Sequence, residues 1–86
     1  MNAMTENLLN AVRNVVASGP LAKAVRRIEI EPAIDEDDEE FLRVELLVRL
    51  PTKNVDSELE ALLERIEEAV GAIDSRYPSV RFLDAA

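Results

Sequence analysis

Apolar residues recur along this chain with two different periods, and the change of period marks its elements. The longest run of one period extends from Val55 to Tyr77. Leu59, Leu62, Leu63, Ile66, Ala69, Val70, Ile73 and Tyr77 follow one another at intervals that wrap a single stripe around a 3.6-residue helix. Glu58, Glu60, Glu64, Glu67, Glu68 and Asp74 lie off the stripe, so one side calls for a core and the other for water. Ser57 and Glu60 have capping-box spacing, and Glu58 complements the positive end of the helix dipole. Gly71 lowers helix propensity, and Pro78 disfavours helical geometry at Tyr77, where the helix is expected to end.

A shorter stripe of the same period, Leu8, Leu9, Val12, Val15 and Val16, predicts a first helix from Thr5 to Ser18. Thr5 is its expected N-cap, Gly19 its left-handed C-terminal residue, and Pro20 cannot continue it. After a connection over Leu21 to Ala24 the period drops to two. Ile28, Ile30, Pro32 and Ile34 alternate with Arg27, Glu29 and Glu31, as in a half-buried strand whose regular part is expected to end near Glu31. Asp35 to Glu40 is an unbroken acidic run without a turn glycine, which predicts a loose, mobile hairpin connection. From Phe41 to Leu50 a second strand turns Leu42, Val44, Leu46, Val48 and Leu50 toward the helices. Phe41, Arg43, Glu45, Leu47 and Arg49 take the other face. On that face Glu29 or Glu31 can pair with Arg43, and Arg27 with Glu45. Pro51 stops the strand, Thr52-Lys53-Asn54 turns into the long helix, and Val80, Arg81, Phe82 and Leu83 read as a short last strand.

The order is therefore α-β-β-α-β in one domain over residues 1–86, with fraying expected at 1–4 and 84–86. Burying both stripes and the even-numbered strand face predicts an α+β two-layer sandwich, with two helices on one face of a three-stranded, mainly antiparallel sheet. The last strand fits beside the first, or beside the second through a right-handed crossover. The first placement is the expectation.

Charge and composition narrow the function classes. Eighteen acidic and ten basic residues give a net charge of −8, which repels phosphate backbones. Arg26, Arg27, Arg43 and Arg49 form a potential basic strip but are interleaved with glutamates, so no nucleic-acid partner is expected. No apolar run approaches the roughly 20 residues that cross a bilayer. The opening MNAMTENLL has no positive charge before its apolar residues, unlike a secretory signal. With no cysteine to form a disulfide, the expected location is the cytoplasm and the expected source of extra burial is a second copy of the chain. Histidine, cysteine and tryptophan are all absent, and Gly19 and Gly71 are the only glycines. Soft metal ligands, Cys-His or Ser-His pairs and glycine-rich phosphate loops are thereby excluded. Carboxylates, Lys23, Lys53 and Tyr77 remain as acid-base groups without a pattern that gathers them, so neither an enzyme nor a cofactor is expected.

Three surfaces remain. Asp35, Asp37, Asp38 and Glu39 supply the oxygens a hard cation wants, but without the alternating spacing and central glycine of an EF-hand loop. A solvated acidic turn is the plainer expectation, and a divalent-cation module the least favoured function. Glu60, Glu64, Glu67 and Glu68 form an acidic helix face with like charges four residues apart, a candidate dock for a basic protein. An acidic antitoxin-like or regulatory protein is the corresponding reading. Phe41, Leu47 and Leu83 sit on the uncovered sheet face and are the candidate contact of a homodimer. A protein-interaction module that self-associates is the leading expectation.

No motif identifies a family. The element order over residues 5–84 resembles that of the small cytoplasmic dimerisation domains at the ends of cation-efflux transporters. Those domains carry interfacial histidines that bind metal; this chain has none, so the likeness implies dimerisation without that metal role. Some KH-type domains are similar in order, but the GxxG loop that clamps nucleic acid is absent.

Overall fold

The computed structural model describes residues 3–49 and 56–85, with side chains from residue 5 onward. Two helices, α1 (Ala3–Ala17) and α2 (Asp56–Gly71), cover one face of a sheet of three strands, β1 (Val25–Ile34), β2 (Glu40–Val48) and β3 (Tyr77–Asp84). The order α-β-β-α-β and the α+β two-layer architecture are those the periodicity predicts. Leu50, Pro51, the turn Thr52 to Asn54 and Val55 lie outside the described residues, as do Met1, Asn2 and Ala86.

Strand order is β1-β2-β3. β1 pairs with β2 antiparallel, whereas β3 pairs with β2 parallel, so the sheet is mixed. The expectation that the last strand lies beside the first is corrected. Either placement buries the same alternating face, and a helix the length of α2 supplies the crossover that a parallel neighbour requires. α1 lies against β1, α2 against β3, and the two helices touch, leaving β2 beneath their seam. Leu42, Val44, Leu46 and Val48 of β2 meet Leu8, Val12 and Val16 of α1 and Leu62, Ile66 and Val70 of α2 in one buried cluster, completed by Leu21 and Ala24.

Several boundaries differ from the sequence expectation. Thr5 is the third residue of α1 and so does not stand at its N-cap. Gly19 has no positive φ, so its role is not the left-handed one; a Cβ there would meet the Arg65 guanidinium at 3.4 Å. β1 continues through Pro32 to Ile34, which its position at the sheet edge permits. Ser57 is within α2, and α2 ends at Gly71 and not at Tyr77. The extra apolar residues Ile73 and Tyr77 prolong the helical period, but Ile73 is in the exit turn and Tyr77 opens β3. At the chain ends, Ala3 and Met4 belong to α1, Asp84 to β3, and the Ala85 amide donates to the Val48 carbonyl.

The acidic hairpin is ordered by its own aspartates. Asp35 Oδ1 accepts the amides of Asp37 (2.8 Å) and Glu39 (3.0 Å), and its carbonyl accepts the Asp38 amide (3.1 Å). Asp38 takes the left-handed conformation, φ 61°, a position glycine usually fills but a short polar side chain tolerates. The expected loose connection is thus a tight turn made without glycine.

Candidate functional site

The face of the sheet away from the helices is built from every second residue of each strand, and the register arranges them in four rows across β1, β2 and β3. The first row, next to the hairpin, is Ala33, Phe41 and Tyr77. Glu31, Arg43 and Ser79 form the second, Glu29, Glu45 and Arg81 the third, and Arg27, Leu47 and Leu83 the fourth. Phe41 and Leu47 are half-buried by their neighbours, while Tyr77 is 67% and Leu83 41% exposed. Leu47 and Leu83 are therefore adjacent. Phe41 lies six residues along β2 from Leu47, roughly 20 Å away at about 3.3 Å per residue, so the three predicted contact residues form two apolar ends and not one patch.

Charged rows fill the space between. Glu31 and Arg43 face each other and bond at 2.8 Å, as the alternation predicts. Arg27 bonds Glu29 on its own strand at 2.7 Å instead of reaching Glu45. Glu45 stands opposite Glu29 on one side and Arg81 on the other and is half-buried without an ion pair or hydrogen bond among the described residues. The Arg43 guanidinium also lies 6.0 Å from the Phe41 ring centre. The four rows together hold three of the chain's ten basic residues and three of its eighteen acidic ones. The face is neutral, and the whole excess of eight negative charges lies elsewhere.

The remaining candidates are dispersed. Asp35, Asp37, Asp38 and Glu39 are exposed, Asp35 is engaged by backbone amides, and no three acidic groups among the described residues converge on a cation position. Glu60, Glu64 and Glu68 form an exposed row along α2, with Glu67 half-buried beside it. Asp74 is not part of that row. Its carboxylate, only 8% exposed, accepts Nε (3.0 Å) and Nη2 (2.7 Å) of Arg76 and the Arg76 amide (2.9 Å). These bonds outweigh burial and hold its pKa down at about 2, while Asp74 raises that of Arg76. Arg76 also reaches Glu40 at 3.6 Å, clasping the exit of α2 to the start of β2. An apolar cavity of about 200 Å³ lies between Gly19-Pro20-Leu21 and the first turns of α2, where Arg65 donates to Ser18 Oγ at 2.7 Å.

Sequence reasoning missed Tyr77 and Ala33 as partners of Phe41, and the Asp74–Arg76 clasp. Gly71 followed by Asp74 was the available signal for an early helix end. No helix among the described residues is long and apolar enough to cross a membrane. The molecule is an α+β two-layer sandwich with one covered and one open sheet face. Comparison with known protein families, with curated proteins and with solved structures finds no match to this chain.

Proposed function

We propose that this chain is a non-enzymatic cytoplasmic interaction module whose open sheet face associates with a second copy of itself. The observation that carries this reading is the face itself: large apolar side chains at both ends, neutral overall, in a chain of net charge −8. Two strongly acidic bodies repel everywhere except where charge is balanced, and a chain this small gains from added burial. Edge-to-edge pairing is the less suitable route. Each outer strand carries a proline opposite Leu42, Pro32 on β1 and Pro78 on β3, and β1 is further interrupted by a bulge near Arg26. Light scattering across a wide concentration range tests the proposal. The expected result is a dimer, and Leu47→Glu should remain folded but become monomeric; a monomer at all concentrations sinks it.

A second reading draws on the exposed row Glu60, Glu64 and Glu68, with Glu67 beside it, as a dock for a basic protein. Co-purification from the native host at low and high salt addresses this. Recovery of no salt-sensitive partner removes it.

A further inference from the structure

Resting on the reading that the open face self-associates, we propose that the two copies stack with their β2 strands antiparallel, about a twofold axis that crosses the strands at the level of Val44. The axis would run in the plane between the sheets, so each strand covers its own counterpart and the four rows meet in reverse order. Row one then covers row four, and row two covers row three. Phe41 and Tyr77 of each copy come over Leu47 and Leu83 of the other, which buries both apolar ends. At the centre Arg43 of each copy meets Glu45 of the other, giving the half-buried carboxylate the cation that no described residue of its own chain bonds to it. Arg43 keeps Glu31, 2.8 Å away, as a second partner. Sheets packed face to face cross at about 30°, which leaves the central pairs aligned and displaces the ends by about one strand spacing. Patches tolerate that shift, whereas point charges at the ends would not.

The ends of the molecule support the same direction. Beyond row one lies the acidic hairpin, Asp35 to Glu40; around row four lie Lys23, Arg26, Arg27 and Arg49, the basic residues at the opposite end of the strands. Row reversal brings each acidic end toward the other copy's basic end. A twofold axis parallel to the strands would instead set hairpin against hairpin, Arg43 against Arg43 and Glu45 against Glu45, an arrangement that like charges oppose. Glu29 and Glu31 do approach each other across the proposed interface. Each already has an arginine bonded to it within its own chain.

Charge reversal tests the arrangement. Arg43→Glu and Glu45→Arg each place like charges at both central contacts, so each variant alone should dimerise at least about tenfold more weakly than the wild-type chain. Mixed together, they restore two opposite-charge pairs, and a heterodimer should form within about threefold of wild-type affinity. Circular dichroism of each variant separates loss of association from loss of fold. Should either fail to fold, the milder Arg43→Gln and Glu45→Gln serve instead: each removes both central ion pairs and should dimerise about threefold or more weakly than wild type, whereas in the parallel stacking each relieves a like-charge contact and would dimerise more tightly. A wild-type monomer refutes self-association itself. A wild-type dimer whose reversed variants do not rescue each other, or whose glutamine variants dimerise more tightly than wild type, overturns the stacking direction and leaves self-association standing.

Discussion

The two faces of β2 are one residue apart in sequence and differ in almost everything else. Leu42, Val44 and Leu46 are 0–1% exposed beneath the helices, while Phe41, Arg43, Glu45 and Leu47 stay half-buried between the outer strands. The covered face is uniformly aliphatic and needs no order along the strand. The open face sets two ionic rows between apolar ends, and that order along the strand carries information. A core can be made by composition alone, but a surface that selects one partner orientation needs a sequence of different groups.

The sharpest way to test this contrast is to truncate neighbours. Leu46→Ala, beneath the seam, should cost about 2–5 kcal/mol in urea unfolding, because the packed layers cannot collapse into the space. Next in size is the clasp that closes the covered side at the hairpin end: Asp74→Ala should cost about 1.5–3 kcal/mol at neutral pH through loss of its charge-assisted bonds. Because the folded pKa of Asp74 lies below its ordinary 3.8, its contribution is complete above about pH 4 and is lost as pH falls toward about 2. The stability gap between wild type and Asp74→Asn should therefore narrow over that interval in acid titration; a constant gap would show that the clasp acts by packing alone. Leu47→Ala, on the open face, should cost only about 1 kcal/mol in a monomer, since water fills the vacated space. A cost equal to that of Leu46→Ala would erase the contrast. Smallest, and independent of either face, Asp38→Gly should raise stability by about 0.5 kcal/mol by relieving the left-handed aspartate.

How far the sequence reaches depends on what each pattern measures. Period-two alternation in Phe41 to Val48 reports burial directly, and both faces of β2 follow it. Strand order does not enter that pattern: β3 beside β1 or beside β2 turns the same side chains inward, and only backbone pairing distinguishes them. The overlong second helix arose because Ile73 and Tyr77 prolong the helical spacing by coincidence, whereas Asp74, by bonding the Arg76 amide, fixes a turn at the helix exit. The tight hairpin was hidden by the absence of glycine, a role that Asp35 and Asp38 share between them. Phe41, Leu47 and Leu83 were legible as outward residues. Their division between two opposite ends was not, because it follows from register, and Tyr77 could not join Phe41 while it was counted as helix.

The parallel pairing of β2 with β3 also fixes an order of events during synthesis. β1 and β2 are joined by a short turn and can pair as soon as both have left the ribosome, but the other edge of β2 waits for α2 and then for the last of the three strands. Until Tyr77 to Asp84 arrives, the central strand of the finished sheet is an open edge bearing Leu42, Val44, Leu46 and Val48. The acidic hairpin beside it already carries six negative charges at that stage, so neighbouring nascent chains repel one another while their most adhesive strand is unsealed.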